Sequence, residues 1–312
     1  MSVDKESRLK AEIEKLKKER DAVVLAHYYQ RPEIQEVADF IGDSLALAQI
    51  ARTLKQSVIV LCGVHFMGET AKILCPEKTV LIPDPEAGCS LADSCPAPDF
   101  ARFVAQHPDH IVVSYVNTSA AVKALTHVVV TSSNARHIVE QLPEDKKIIF
   151  GPDRNLGNYI NSITGRDMLL WNGACHVHDQ FSVEKLAALK REHPDAEVLA
   201  HPECRKPLLL MAHVVGSTAA LLAHAQKSAA RKFIVATESG ILHEMRKKCP
   251  GKEFIPAPPD DAMCGCNDCN FMKLNTLEKL RDCLRDLKPQ IEVDPEVAAK
   301  AIKPIEKMLA MS

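Results

Sequence analysis

Short, uninterrupted apolar runs alternate along this chain with longer amphipathic stretches. The runs at 22–26, 57–62, 79–82, 110–116, 127–131, 147–150, 168–171, 197–200 and 232–236 read as strands. Between them, 33–54, 97–106, 135–141, 183–192, 218–225 and 277–287 carry apolar positions at helical spacing. Residues 4–20 predict an exposed helix, with Leu9, Ile13 and Leu16 on one face among many Lys and Glu. Strand-then-helix alternation of this kind predicts an α/β fold of parallel sheets covered by helices.

The pattern also repeats. His27 ends the first strand, Tyr115 a similar one 88 positions on, and His201 a third 86 further. A hydroxyl residue follows each by 17 positions, Ser44, Ser132 and Thr218, at or near the start of a helix. The next strand ends in register too, at Gly63, Gly151 and Thr237. Each third then closes on a cysteine: Cys89, Cys175 and one of Cys264, Cys266 and Cys269. Several landmarks recurring in order at one period predict a triplicated α/β/α unit. The expected organisation is an N-terminal helix (1–20), repeats at 21–107, 108–194 and 195–287, and a C-terminal helical segment (288–312). Ligands of α/β sheets gather at the carboxyl ends of the strands, so three units about a pseudo-threefold axis would aim their strand ends at one central junction.

Composition narrows the partners. With 39 basic and 41 acidic side chains the formal charge is −2, and aromatic residues are 4% of the 312, which favours neither nucleic acid nor an anionic membrane. No apolar run spans a bilayer and the first twenty residues are too polar for a signal peptide, so a cytoplasmic protein is expected. Eleven cysteines in such a chain are more often buried, ligating or catalytic than bridged.

Three thiols from three repeats suit zinc or an iron–sulfur cluster, and spacing separates the two only weakly. A cluster held by three cysteines leaves one iron open, a Lewis acid able to polarise a substrate oxygen. Hydroxyl residues at helix starts, in Gly42-Asp43-Ser44, Thr131-Ser132-Ser133-Asn134 and Gly216-Ser217-Thr218, predict pockets for phosphate or carboxylate. With His27 and His201 as further donors, the expected substrate is small and carries more than one anionic group. Tyr29 and Glu203 are candidates for proton transfer.

The segments Ala26-His27-Tyr28-Tyr29-Gln30, Gly88-Cys89-Ser90-Leu91-Ala92-Asp93-Ser94-Cys95-Pro96, Tyr115-Val116-Asn117-Thr118-Ser119, Gly173-Ala174-Cys175-His176-Val177-His178, His201-Pro202-Glu203-Cys204 and Met272-Lys273-Leu274-Asn275-Thr276 resemble the quinolinate synthase family, in order, from about residue 20 to 287. The resemblance implies an oxygen-sensitive [4Fe–4S] enzyme of de novo NAD synthesis that condenses iminoaspartate with dihydroxyacetone phosphate to quinolinate, phosphate and water. It also leaves room for transient contact with the enzyme that makes iminoaspartate. By the same resemblance Cys89, Cys175 and Cys269 are cluster ligands, and Tyr29, Glu203 and His201 form the catalytic set. His27, Ser44, Ser132, His201, Ser217 and Thr218 anchor substrate, while Tyr115 and Asn117 lie near the open iron. The chain departs from the family pattern at the third ligand, where Asn270-Phe271 replaces Pro and an aromatic residue and the upstream thiols read CxC. Cys264 and Cys266 are a candidate redox pair in that loop.

Duller readings compete. Cys62, Cys75, Cys249 and Cys283 lie in apolar or helical surroundings and read as core thiols, with structural roles for Cys95 and Cys204. Ser44, Ser132 and Thr218 taken singly are helix caps, and only the threefold register argues otherwise. His176 and His178 flank Cys175 closely enough to hydrogen-bond around a metal centre. Two other functions compete: a hydro-lyase that shares these cysteines and an open iron but acts on a different hydroxy acid, and a non-catalytic protein whose 264–269 loop holds structural zinc.

Overall fold

The computed structural model describes residues 3–260 and 267–312. Its strands form three sheets of four parallel strands each. The first sheet holds β1 (Ala22–His27), β2 (Phe40–Gly42), β3 (Val58–Cys62) and β4 (Thr79–Leu81). The second holds β5 (Ile111–Tyr115), β6 (Val128–Val130), β7 (Ile148–Gly151) and β8 (Leu169–Leu170), and the third β9 (Glu197–Ala200), β10 (Val214–Val215), β11 (Lys232–Ala236) and β12 (Glu253–Pro256). Strand order is the same in all three: β2-β1-β3-β4, β6-β5-β7-β8 and β10-β9-β11-β12. This is the α/β architecture of three repeated units expected from the alternation. Parallel strands covered on both faces need continuous apolar runs, and β1, β3 and β7 are buried along their whole length.

The repeat extends to individual bonds. Leu25 pairs with Phe40, Val113 with Val128 and Leu199 with Val214, the same register each time. The residue before each of these edge strands, Asp39, His127 or His213, accepts a backbone N–H from the neighbouring strand. The donors are Val24, Val112 and Val198, at 2.7, 2.9 and 2.9 Å. Each acceptor's own amide donates back to the same residue's carbonyl, at 2.9, 2.9 and 2.8 Å. A carboxylate oxygen in one unit thus takes the place of an imidazole Nδ1 in the other two.

One expected helix is broken. The segment 33–54 is two helices, Pro32–Val37 and Ser44–Thr53, with β2 between them. Ala38 is extended, with φ −71° and ψ 141°, and Asp43 starts the second helix by accepting the Ala46 N–H at 3.0 Å. Apolar spacing ran on through Phe40-Ile41 and concealed the break. The two-residue β10 and the proline-ended β12 were likewise not expected as strands, being too short or too polar at their ends to stand out. Helices His65–Leu74, Arg154–Thr164 and Ile241–Lys248, also unforeseen, complete the alternation.

The terminal helices brace the repeats. On Val3–Glu19, Leu9, Ile13 and Leu16 are buried in one cluster with Leu277, Leu280 and Leu284 of Leu277–Asp286. Each such side chain stabilises the fold by about 1.5–3 kcal/mol. The last helix, Pro295–Ala310, starts at the Asp294 cap with proline in its first turn, and packs Ala301, Ile305 and Met308 into the core shared by the first two sheets. It lies against β6 and so covers an edge strand.

Candidate active site at the junction of the three sheets

The carboxyl ends of β1, β5 and β9 meet at one cavity. The first repeat contributes His27, Tyr29 and Ser44, the second Tyr115, Asn117 and Ser132, and the third His201, Glu203 and Thr218. These form three equivalent sets: His27, Tyr115 and His201 at the strand ends, Tyr29, Asn117 and Glu203 two residues on, then the three hydroxyls. Cys89, Cys175 and Cys269 line the same cavity. Of the residues expected there, Ser217 is not in the lining. Its hydroxyl caps helix Thr218–Lys227 by accepting the Ala220 N–H at 3.3 Å. Ser44 and Thr218 open their helices, whereas Ser132 sits two residues before the Asn134 cap of Ala135–Gln141.

The three cysteines are built alike. A turn of chain follows each, and the amide four residues on donates to the cysteine's carbonyl: Asp93 to Cys89 at 2.9 Å, Asp179 to Cys175 at 2.9 Å and Lys273 to Cys269 at 3.1 Å. The amide three residues on, of Ala92, His178 or Met272, points to the sulfur. The turns also touch one another. Ser90 Oγ and His176 Nδ1, each next to a cysteine, are 2.6 Å apart, and the His176 and Phe271 rings meet edge to face at 6.2 Å. Burial pushes the thiols up, Cys89 to about 12, Cys269 to about 11 and Cys175 well above its ordinary value, and neighbouring thiols add to the effect at Cys89 and Cys175. Such thiols are protonated unless a cation replaces the proton, and amides aimed at sulfur favour the thiolate once it forms. Soft, convergent, amide-supported donors fit an iron–sulfur cluster or zinc. Cys175 Sγ also lies within 4.8 Å of donor atoms of His178 and Glu203, but that histidine and carboxylate already bond each other, which leaves the three thiols as the softer set. Cys264 and Cys266, the candidate redox pair, lie outside the described residues.

One line of hydrogen bonds crosses the junction. Tyr29 Oη is 2.7 Å from Thr218 Oγ1 and 2.8 Å from Thr237 Oγ1. Thr237 Oγ1 is 2.9 Å from His178 Nε2, and His178 Nδ1 faces Glu203 Oε2 at 3.1 Å and Cys175 Sγ at 3.3 Å. The other Glu203 oxygen accepts the Tyr115 hydroxyl at 2.6 Å. His178 therefore carries its hydrogen on Nδ1 and accepts from Thr237 at Nε2. In His27 and His201, Nδ1 accepts the amide of Tyr29 (3.2 Å) or Glu203 (3.4 Å), so the hydrogen of each sits on Nε2. His201 Nε2 is 3.2 Å from Ser132 Oγ.

Burial sets the protonation states. It pulls His27 down to about 4 and His201 to about 3, so both rings are neutral donors near pH 7. It raises Tyr29 and Tyr115 well above the ordinary phenol value and keeps both protonated. Burial alone would raise the Glu203 carboxyl, but the His178 ring beside it and the hydrogen bonds from His178 and Tyr115 outweigh burial and hold it below the ordinary carboxylate range. Of these residues, Thr237 was legible only as a register landmark and His178 only as a neighbour of Cys175. Asp43, which lines the cavity, was legible only as the neighbour of Ser44 at an expected helix start.

Three parallel sheets of one topology, meeting at a junction lined by a cysteine from each, define a triplicated α/β protein with a thiol-lined central site. The family model described as quinolinate synthetase A protein matches residues 11–310, and the chain belongs to that family. Similar proteins include the quinolinate synthase of a Synechococcus strain, 57% identical over 304 residues, or 97% of this chain and 95% of that one. That of Chloroherpeton thalassium is 57% identical over 301 residues, covering 96% and 94%.

Proposed function

We propose that this chain makes quinolinate for NAD synthesis, condensing iminoaspartate with dihydroxyacetone phosphate and releasing phosphate and water. We propose further that Cys89, Cys175 and Cys269 hold a [4Fe–4S] cluster. The observation that carries the reading is one thiol from each repeat facing a single cavity, in a chain that matches its relatives almost end to end. When bound, such a cluster supplies one open iron as a Lewis acid for a substrate oxygen. The protein's own groups do the rest. Ser44, Ser132 and Thr218 offer hydroxyls to phosphate and carboxylate, while neutral His27 and His201 offer Nε2–H bonds. Glu203, held ionised, takes a proton from carbon beside a carbonyl, and Tyr29, held neutral, gives one to the departing oxygen. The line from Tyr29 through Thr237 and His178 to Glu203 ties these two groups together across the junction. The protein is tested by incubating it anaerobically with freshly generated iminoaspartate and dihydroxyacetone phosphate. Quinolinate that depends on both supports the reading, and none from iron-loaded protein refutes it.

A further inference from the structure

Two buried carboxylates outside that chemistry each hold the backbone of a cysteine. Asp153 lies just beyond β7 and Glu238 just beyond β11, corresponding strand ends, and both are 0% exposed. Asp153 Oδ2 accepts the Cys175 N–H at 2.9 Å, while Oδ1 accepts the amides of Asn155 and Leu156 at 2.6 and 3.0 Å. Glu238 Oε1 accepts the Cys269 N–H at 3.0 Å and faces Lys273 Nζ at 2.8 Å, and Oε2 accepts the Gly240 N–H at 2.7 Å. Lys273 Nζ goes on to donate to the Tyr29 carbonyl at 2.6 Å. The first repeat has Val64-His65 in this place, and among the described residues no side chain accepts the Cys89 amide.

We propose that Asp153 and Glu238 are positioning residues, which fix the Cys175 and Cys269 turns with their thiols toward the junction before any metal arrives. Lys273 extends the second anchor to Tyr29, so that the third cysteine and the phenol of the first repeat are held by one ion pair. The proposal rests on reading the three cysteines as cluster ligands. Its physical basis is the cost of gathering a ligand set from loops more than eighty residues apart. Each loop left free must be ordered as metal binds, and a buried carboxylate holding the ligand's amide removes that cost in advance. Removing the acceptor leaves a buried N–H without a partner. Glu238 accepts from two amides and one ammonium at once, so its loss is felt at Cys269, Gly240 and Lys273 together.

Hydrogen–deuterium exchange on metal-free protein reads this directly and does not depend on thiol ionisation. In Glu238→Ala, amides of the segment 267–272 should exchange about tenfold faster or more, the change expected when a charged hydrogen bond closing a local structure is lost. The segment 88–93 should stay as in the wild type. In Asp153→Ala the acceleration should fall on 175–180. A merely structural role would speed all three segments together, and that result, or no change, overturns the proposal. If an alanine variant does not fold, Glu238→Gln and Asp153→Asn, which keep size and one carbonyl acceptor, are measured with the same selectivity expected. After anaerobic loading with iron and sulfide, the variants should bleach under a chelator about tenfold faster than wild type, the range seen when a supporting bond around a metal site is removed. Equal bleaching contradicts the positioning role, whereas wild-type protein that takes up no iron contradicts the ligand assignment itself.

Discussion

Tyr115 donates its hydroxyl hydrogen to Glu203 at 2.6 Å, a bond between the second repeat and the third. Both groups are buried, and the carboxylate's other oxygen faces His178, so both oxygens of Glu203 are engaged from the second repeat. Tyr115→Phe removes one donor from a buried carboxylate, a loss of roughly 1.5–3 kcal/mol for a bond to a charged group. The expected result is a kcat lower by about ten- to a hundredfold, in a protein whose circular dichroism is unchanged. Steady-state assay of quinolinate formation measures it, and an unaltered kcat would show that the Tyr115 hydroxyl does not support Glu203.

Gly240 of the third repeat packs directly against the Tyr29 backbone of the first. A Cβ there would lie 2.7 Å from backbone atoms of Tyr29, and those atoms cannot swing aside as a side chain can. The backbone at Gly240, with φ −59°, suits any residue, so the constraint is space alone. Gly240→Ala should cost about 1–3 kcal/mol, as overpacking does. It should also lower activity more than an alanine at a remote site, because Tyr29 is what moves. Thermal unfolding and kcat, measured together, check both halves.

Lys123 is a buried cation, its Nζ bonded to the Thr118 carbonyl and 5.4 Å from the centre of the Phe66 ring. Burial lowers its ammonium from 10.5 to about 8, with Glu69 acting the other way. Below about 8 the folded protein carries the buried charge at a cost; between about 8 and 10.5 it has shed the proton while the unfolded chain keeps it, so stability from this group rises with pH across that window. Lys123→Met has no charge to bury. It should be the more stable protein at pH 7, by something on the order of 3 kcal/mol, with the advantage shrinking toward pH 10. Urea unfolding of both reduced, metal-free proteins across that range gives the difference. Cys89, the thiol whose charge would act on Lys123, is pushed up to about 12 and stays neutral across that range.

Much of this was legible in the sequence because the central strands are unbroken apolar runs and the landmarks recur at 86 or 88 residues. That period alone brought His27, Tyr115 and His201 together, and with them Ser44, Ser132 and Thr218. The edge strands β2 and β10 were hidden because two or three residues make no pattern of their own, and their place is set by the neighbouring strand. Ser217 and Thr218 are adjacent hydroxyls, and which one caps the helix depends on backbone angles that composition does not reveal. Asp153 and Glu238 escaped the register by a single position: one stands two residues after Gly151, the other one residue after Thr237. His178 joins Glu203 and Thr237 through contacts between repeats, for which no local spacing exists.

The central claim is that one thiol from each repeat grips a single iron–sulfur cluster. Iron and acid-labile sulfide in protein purified without oxygen, with its visible spectrum, test it most directly. Wild-type protein should be brown with about four irons per chain. Cys89→Ala, Cys175→Ala and Cys269→Ala should each lose the colour, and Cys75→Ala, a change in the core, should keep it. Colourless wild-type protein carrying zinc, or a Cys269→Ala variant that keeps a full complement of iron, would contradict the account.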